Sequence, residues 1–381
     1  DAGSATYAPS DDLLGTTRAN GSTTGSADDI GCYENICTAG TYYVDDGGSN
    51  SNAGTSSGAA FLTLKYAVEN CGCNGTTINV AAGTYSDEDI IVGPGVTIDG
   101  AGSTTIFDGD YTDRFMTIIG SNVTLSDMHI KQYAEPSGAS NTNGGGALRI
   151  GGVSDGSTTE YSTAYSGISI SGVTFEDNYV DATGGDGGAV EIVQQTSSAG
   201  TTIAVDFSKC KFYGNKARNS SSASTSYHGG AVSASRGADL SFTNCLFYEN
   251  EAAGYGGAVA IWYGDVDFIN CTMADNSSHY YGRGAIYAEN SADVVIRNCI
   301  LYNTYDNGTL SNDIYEGTAN ITWSNSIYRS ESVGENCSSC YTDDPLFKDA
   351  ANDDYSLLPS SPAIDAGSAT YAPSDDLLGT T

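Results

Sequence analysis

Residues 241–276 read SFTNCLFYENEAAGYGGAVAIWYGDVDFINCTMADN, and this stretch decides the fold. Its two ends, SFTNCLFYEN and DFINCTMADN, are versions of one segment that alternates apolar and polar residues, as a half-buried strand does. Between them, the Gly pair of GGAVAI begins a second short strand. A unit this short cannot bury its apolar face alone, so the pattern indicates that each unit packs on similar neighbours.

The same unit recurs along the chain. The strand-like segment occurs as SISGVTFEDN (169–178), DFSKCKFYGN (206–215), SFTNCLFYEN (241–250), DFINCTMADN (267–276) and VIRNCILYNT (295–304). The glycine-led strand occurs as GGAL (145–148), GGAV (187–190), GGAV (229–232), GGAV (256–259) and RGAI (283–286). Equivalent positions from Val173 to Cys299 are 37, 35, 26 and 28 residues apart. A repeat of this length, with no helical pattern inside it, predicts an all-β solenoid in which coils stack about 4.8 Å apart.

Stacking places like residues in columns. We expect an interior column of large apolar side chains at Phe175, Phe212, Phe247, Met273 and Leu301. We expect a turn column, where Asn tolerates the left-handed conformation, at Asn178, Asn215, Asn250 and Asn276. A buried cysteine ladder is expected at Cys210, Cys245, Cys271 and Cys299. These four thiols either stay free as small apolar groups or form Cys210–Cys245 and Cys271–Cys299 bridges, because one coil spacing lies within disulfide range.

The composition excludes several classes of partner. The charge of the 381-residue chain is 14 − 47 = −33, which is unsuited to a nucleic-acid-binding surface and is repelled by anionic lipid. No run of about 18 apolar residues is present, so the sequence predicts no membrane span. The acidity fits a well-solvated surface, and it also fits a surface that collects cations such as calcium.

Cysteines and sequons indicate an oxidising, extracellular compartment. Ten cysteines form an even set with close pairs. The disulfide candidates are Cys32, Cys37, Cys71, Cys73, Cys337 and Cys340. A zinc site at the first four and a redox centre at the last two are the alternatives. The glycosylation candidates are Asn20, Asn74, Asn122, Asn219, Asn270, Asn276, Asn307, Asn320 and Asn336.

A second repeat joins the two ends of the sequence. Residues 1–17 and 365–381 both read DAGSATYAPSDDLLGTT. Seventeen identities in seventeen positions indicate a tandem array with a period of 364 residues. A cloning scar is the alternative explanation.

These motifs carry a family resemblance. The alternation of GGA[ILV] with FxxN resembles the repeats of polymorphic outer-membrane proteins on a right-handed β-helix of the pectin-lyase type. Residues 41–102 resemble the start of that superfamily, which implies an amphipathic helix at about 60–70 capping the first coil. Residues 344–367 resemble its end. The resemblance implies a tail of a preceding copy at 1–36, a β-helix unit at 37–364 and the start of this copy's own tail at 365–381.

The resemblance implies a fold and an extracellular setting rather than one activity. Pectin-hydrolysing relatives combine Asp pairs with Gly-His-Gly and Arg-Ile-Lys motifs, which this sequence lacks. Lyase relatives pair calcium-binding Asp with a basic residue, and Asp108, Asp110 and Asp113 beside Arg114 are the nearest analogue. Turn residues are the simpler interpretation of these Asp, so calcium is the one cofactor we consider and no catalytic residue is predicted.

The expected function is structural. We expect a repeat unit of an extracellular fibre, stalk, sheath or adhesin that is not an enzyme, because the open ends of a β-helix must be covered and another copy can cover them. The expected partners are other copies of the chain, with glycans or other cells as further partners. The alternative is an extracellular β-helix protein that binds or cleaves polysaccharide.

Overall fold

The protein is described from a computed structural model. The structure describes residues 37–135, 144–151, 164–181, 185–193, 202–218, 227–234, 237–280, 284–306, 308–329 and 337–379. The chain divides into two compact units, Asp1–Ala39 and Gly40–Thr381, and the account below concerns the second. Among the described residues, no helix has the length and apolar character needed to cross a bilayer.

One coil shows how the chain is wound. It runs through Ile203–Ser208, Lys211–Tyr213, Lys216–Ala217 and Val232–Ala234, and it then returns to Ala238–Thr243 beside its starting strand. This return is parallel and in register for six residue pairs. Repetition of this path builds four sheets that extend along one axis. The predicted all-β parallel β-helix is confirmed.

Each of the four sheets collects one strand per coil. Sheet I contains Thr41–Val44, Thr77–Val80, Thr97–Asp99, Thr124–Ser126, Tyr165–Ser171, Ile203–Ser208, Ala238–Thr243, Asp265–Ile269, Asp293–Arg297, Asn320–Ser324 and Cys337–Ser338. Sheet II contains Gly83–Tyr85, Thr105–Asp108, His129–Lys131, Thr174–Glu176, Lys211–Tyr213, Leu246–Tyr248, Thr272–Ala274, Ile300–Tyr302 and Ile327–Tyr328. Sheet III contains Tyr179–Val180, Lys216–Ala217, Glu251–Ala252, Ser277–Ser278, Tyr305–Asp306 and the antiparallel Thr309–Leu310. Sheet IV contains Ile90–Val92, Met116–Ile118, Leu148–Gly151, Val190–Val193, Val232–Ala234, Val259–Trp262, Ile286–Glu289 and Ile314–Glu316.

Short elements surround the coils. A hairpin pairs Phe347–Asp349 with Asp354–Leu357. Single 3-10 turns occupy Ser57–Ala59, Gly102–Thr104 and Ala350–Asn352. The only α-helix among the described residues is Leu64–Cys71.

The interior is built from the predicted columns. Phe175, Phe212, Phe247, Met273 and Leu301 lie in successive register on sheet II, and each is at most 1% exposed. The Phe175 and Phe212 rings stack with centroids 4.9 Å apart, and the Phe212 and Phe247 rings stack at 4.7 Å. Identical side chains in neighbouring coils therefore pack face to face over large apolar areas.

A buried asparagine ladder follows sheet II. Asn178, Asn215, Asn250 and Asn276 are fully buried. The Nδ2 atoms of Asn178, Asn215 and Asn250 donate to Oδ1 of the next Asn at 3.0, 3.0 and 2.9 Å. Each Oδ1 acceptor also receives a backbone N–H from the preceding coil, as Asn250 does from Asn215 at 3.2 Å. The ladder thus satisfies turn groups that would otherwise be buried without partners.

The turns depend on residues that accept positive φ. Between sheets I and II, one residue per turn is left-handed, including Asn244, Asn270 and Asn298 at φ 54–55°. Asn populates this region more readily than most residues. Before sheet IV, Gly229 has φ +65°, and a Cβ on Gly230 would lie 2.0 Å from the carbonyl oxygen of Gly257. The repeated Gly pair is therefore required by conformation and by close approach of coils.

The capping helix begins later than predicted. It spans Leu64–Cys71 rather than about 60–70, because Phe61 forms a parallel bridge with Val44 and keeps that segment extended. Thr63 caps the helix by accepting the Tyr66 N–H at 3.3 Å. Leu64 and neighbouring apolar residues of the helix are buried in the core, so the helix packs against the first coils.

The four ladder cysteines occupy one buried column as free thiols. Cys210, Cys245, Cys271 and Cys299 are at most 2% exposed. Each Sγ lies 3.3–3.7 Å from a main-chain carbonyl of a neighbouring coil, and neither of the two alternative bridges is formed between these four residues. The thiols behave as small apolar residues with weak donors.

Removal of one ladder amide should destabilise the coils strongly. We expect Asn250→Ala to lower the free energy of unfolding by about 2–4 kcal/mol. The substitution leaves the backbone and side-chain amides of Asn215 and the Phe212 carbonyl buried without hydrogen-bond partners. Denaturant unfolding measures the loss. The matched control is Asn320→Ala at an exposed position, which should change stability by less than about 0.5 kcal/mol. Equal effects of the two substitutions would contradict the role of the ladder.

Candidate functional site

The outward side of sheet IV carries one continuous column of side chains. Strand residues alternate between faces, so the residue between two core positions, such as Arg149 between Leu148 and Ile150, lies on the outer face. The column in coil order is Ile91, Thr117, Arg149, Glu191, Ser233, Ala260, Tyr287 and Tyr315. We call it the outer column. Although it faces away from the core, its central members from Arg149 to Tyr287 are 0–8% exposed.

The charged end of the candidate site lies near the middle of the outer column. Arg149 and Glu191 are register partners in adjacent coils, and Arg114 approaches from the preceding turn. Glu191 Oε2 accepts the Gly144 N–H at 2.7 Å. Arg114 donates to the carbonyl oxygens of Gly145 at 2.9 Å and Gly144 at 3.0 Å. The same short Gly segment therefore positions both a cation and a carboxyl group.

Burial controls the protonation of Glu191. Burial, with a smaller contribution from the nearby charge of Asp186, raises the pKa of Glu191 to about 7 against the opposing effects of Arg149, the Gly144 N–H and Arg114. Arg114 has its own pKa lowered by burial and by Arg149. A carboxyl group that holds its proton near neutral pH can donate it to a reacting group.

A second carboxylate lies beside the first. The Asp186 carbonyl accepts the Gly145 N–H at 2.9 Å, next to the Gly144 N–H that binds Glu191. The Asp186 carboxylate lies 2.9 Å from Nδ1 of His228 and accepts the His228 backbone N–H at 2.8 Å. The site thus holds a proton-bearing carboxyl group and a histidine-paired carboxylate, which are the components of acid–base chemistry.

The other end of the site is aromatic. The His228 ring lies 4.9 Å from that of Tyr255 and 4.6 Å from that of Trp262, between centroids. Tyr287 stacks on Tyr255 at 4.7 Å and on Tyr315 at 5.3 Å. All except Tyr287 are partly exposed. These rings present flat apolar surfaces with polar edges, directly beside the charged end.

The predicted calcium residues do not converge. The Asp108 carboxylate pairs with Lys131 Nζ at 2.8 Å, the Asp113 carboxylate accepts the Arg114 N–H at 2.7 Å, and Asp110 is exposed. Within the described ranges, no three acidic, cysteine or histidine side chains are arranged to hold a metal ion. We therefore derive no step through calcium.

Four of the six disulfide candidates are disulfide-bonded in the structure. Cys337 and Cys340 form a disulfide, and Cys37 and Cys73 are each disulfide-bonded. The prediction for Cys71 is wrong, because its half-buried thiol beside Tyr42 is free. Cys32 lies outside the described residues.

The described sequons differ in the exposure of their Asn side chains. Asn74, Asn122 and Asn320 are exposed and Asn270 is half-buried. The prediction for Asn276 is wrong, because this side chain is fully buried and its Nδ2 donates to two main-chain carbonyls at 3.0 Å. The remaining candidates, Asn20, Asn219, Asn307 and Asn336, lie outside the described residues.

Sequence reasoning missed the outer-column site. It treated the GGA segments as turns followed by core strands and did not separate the two faces of each strand. The signal was the charged residue in the middle of an apolar triplet, Arg149 in LRI and Glu191 in VEI. Asp186 and His228 precede equivalent Gly pairs in successive coils. Only an alignment of the two coils shows that these two side chains are in contact.

The fold agrees with known proteins. A family model described as a right handed beta helix region matches residues 190–343. The finer resemblance to polymorphic outer-membrane-protein repeats stays a prediction. No curated protein matches the sequence.

Three solved structures are similar to this chain at low sequence identity and low TM-score. Pectate lyase Pel9A is 13% identical, with 90% of this chain and 96% of that chain covered and a TM-score of 0.39. A rhamnogalacturonan lyase is 16% identical over 79% and 84% of the two chains, with a TM-score of 0.34. A pectin methylesterase from Yersinia enterocolitica is 10% identical over 72% of each chain, with a TM-score of 0.28.

The prediction that the chain is not an enzyme is wrong by this comparison. All three of these structures are polysaccharide-processing enzymes. Because the sequence identity is low, no residue role and no substrate of these structures is assigned to this chain. The site is therefore interpreted from its own residues.

The raised pKa of Glu191 predicts a pH-dependent stability. The stabilising contribution is complete below the unfolded-state pKa near 4.3 and is lost as the pH rises through about 7. From pH 4.5 to 7.5, the unfolding free energy of the wild type should fall by about 3 kcal/mol relative to that of Glu191→Gln. Denaturant titrations across this range measure the difference. Asp313→Asn is the positive control, because burial also raises the pKa of Asp313 to about 7. If the unfolding free energies of wild type and Glu191→Gln changed equally with pH, Glu191 would not be a buried ionisable group.

Exposure predicts which sequons accept sugar. On secretion from a glycosylating host, peptide mass spectrometry should find glycan at Asn74, Asn122 or Asn320 and none at Asn276, because a folded coil hides that amide. Occupied Asn276 in folded protein would show that the ladder is not formed as described.

Proposed function

We propose that this protein is an extracellular β-helix protein that binds a neutral polysaccharide along the outer face of sheet IV and hydrolyses it. The observation that carries the proposal is the outer column, which places Glu191, with its pKa raised to about 7, between Arg149 and an aromatic cluster. In this proposal Glu191 is the proton donor and Asp186 is the carboxylate that assists water.

The shape of the site suits a linear polymer. The outer column runs along the coil axis, so charged and aromatic groups follow one another over several coils about 4.8 Å apart. The partly exposed rings of Tyr255 and Trp262 offer apolar surface to sugars, and the buried Tyr287 supports them from below. The partly exposed side chains of Asp186 and His228 offer hydrogen-bond partners for hydroxyls. Small residues at Ser233 and Ala260 separate the charged and aromatic ends.

Charge favours a neutral polymer. Around the two cations Arg114 and Arg149 lie the carboxyl groups of Glu135, Glu191 and Asp186. The chain as a whole carries −33. A polyanion would be repelled by this surface, whereas the hydroxyls of a neutral glycan can bind both carboxylates and guanidinium groups.

The chemistry follows from the two carboxyl groups. Glu191 gives its proton to the glycosidic oxygen as the bond from that oxygen to the anomeric carbon breaks. A water oxygen bonds to the anomeric carbon, and the proton of that water passes to Asp186. His228, paired with Asp186 at 2.9 Å, keeps this carboxylate oriented.

Hydrolysis can be tested on a panel of glycans. Wild-type protein should release reducing ends from at least one neutral polymer among β-glucan, xylan and mannan. Glu191→Gln and Asp186→Asn should each lower kcat by about 100-fold or more. The rate should also fall as the pH rises through about 7, because Glu191 then loses the proton that it must donate.

The control is Glu176→Gln on the outer face of sheet II. Glu176 is also paired with a histidine, His129, but it lies on another sheet, so activity should be unchanged. Failure to cleave any neutral polymer, or full activity in Glu191→Gln, would contradict the proposal. Release of unsaturated ends from polygalacturonate or alginate alone would replace it with a lyase.

An extracellular setting and self-assembly complete the proposal. The Cys337–Cys340 disulfide supports an oxidising compartment. The fibre, stalk, sheath or adhesin role predicted from the sequence requires contact between copies of the chain, and a described segment suggests how this contact forms.

A further inference from the structure

The last described segment, residues 365–379, packs along the side of the coils. Its early part contacts Asn298, and its later part contacts Asn244 and Lys209, which belong to earlier coils. The segment therefore runs back along the turns between sheets I and II. We call it the tail, and we call the surface formed by Lys209, Asn244, Arg297 and Asn298 the turn groove.

The turn groove recognises the tail through specific contacts. Asn298 Nδ2 donates to the Ser368 carbonyl at 3.0 Å, and Asn298 Oδ1 accepts the Ser368 N–H at 2.8 Å. Arg297 lies over the Tyr371 ring with its guanidinium carbon 4.7 Å from the centroid. These contacts fix both the main chain and one aromatic side chain of the tail.

A second anchor lies further along the tail. Lys209 Nζ pairs with the Asp375 carboxylate at 2.6 Å, and Asn244 Nδ2 donates to the Asp375 carbonyl at 2.7 Å. Lys209, Asn244 and Asn298 all occupy the left-handed position of their turns. The repeat of the coils therefore repeats the side chains that receive the tail.

The sequence contains the ligand of this groove twice. Residues 1–17 are identical to 365–381, so Ser4, Tyr7 and Asp11 correspond to the three contact residues of the tail. We propose that the turn groove is a docking site for this segment and that residues 1–15 of one copy occupy the turn groove of a second copy. The contacts that hold Ser368, Tyr371 and Asp375 would then hold Ser4, Tyr7 and Asp11.

The tail is bound in a way that permits exchange. Tyr371 is 39% exposed and Leu378 is 80% exposed. A cavity of about 500 Å³ is lined by both the tail and the turns, including Asn270 and Ala369. The ion pair at Asp375 is partly solvated, and such pairs contribute little each. An identical segment of another copy can make the same contacts, so it competes with the loosely packed tail as the protein concentration rises.

The exact repeat supplies a matched pair of variants. Tyr371→Ala with Asp375→Lys weakens the tail, because it removes the ring under Arg297 and places a cation beside Lys209. The groove is then open to residues 1–15 of another copy, so this variant should self-associate with rising concentration in sedimentation velocity. Adding Tyr7→Ala and Asp11→Lys makes the same changes in the other segment, and this fourfold variant should keep the single-chain mass.

The proposal requires the two variants to differ. We expect the dissociation constant of self-association to be at least about tenfold lower for the twofold variant than for the fourfold variant. Identical masses at every concentration would overturn docking by residues 1–15. Equal association of both variants would show another interface and would also overturn it.

A peptide measurement keeps the test independent of changes in folding. A labelled peptide of residues 1–15 should bind the full-length twofold variant, and the same peptide carrying Tyr7→Ala and Asp11→Lys should bind at least about tenfold more weakly. Lys209→Glu in the protein should reduce binding of the unmodified peptide at least about tenfold, because it removes the cation that pairs with Asp11 and places an anion there. Equal binding of the two peptides to both proteins would overturn the proposal.

Discussion

The structure depends on parallel hydrogen bonding between coils in vertical register. Each coil has strands of only two to seven residues, which are too short to be stable alone. When they pair with equivalent strands above and below, main-chain groups are satisfied and like side chains stack. The Phe ladder on sheet II and the amide ladder at Asn215 and Asn250 are two results of this constraint. A shift by one residue would turn each core side chain outward.

The same register builds the candidate site on the opposite face. Arg149 and Glu191 are 42 residues apart in sequence, yet the coil register makes them direct neighbours. An outward strand position tolerates charge because the core does not require it to be apolar, so the outer column can vary from Arg149 to Tyr287 while the inner column stays uniform. A solenoid thereby separates the positions that hold the fold from those that can carry chemistry.

The turns link the fold to assembly. A left-handed residue per coil bends the chain between sheets I and II, and Asn or Lys at that position places a polar side chain on the outer side of the turn, where the tail covers Asn244. Successive coils therefore display a row of donors and acceptors at regular spacing. An extended segment such as the tail can bind along this row, as Ser368 does at Asn298. The left-handed residue that bends each turn therefore also supplies the side chain that binds a second segment.

The sequence by itself determined the parallel β-helix, the inner columns and the cysteine ladder, because these follow from a local alternation that recurs at matching positions, such as Phe212 and Phe247. It also predicted a cap near residues 60–70, although the bridge at Phe61 delayed the helix to Leu64. Only the tertiary structure decided that Arg114 meets Asp186 and Glu191, because Arg114 comes from an earlier coil and its approach depends on Gly144 and Gly145. It likewise decided that Asn276 is buried and that Asp108 pairs with Lys131. Local pattern fixes which face a strand buries, whereas the neighbours of a side chain depend on how coils of unequal length align.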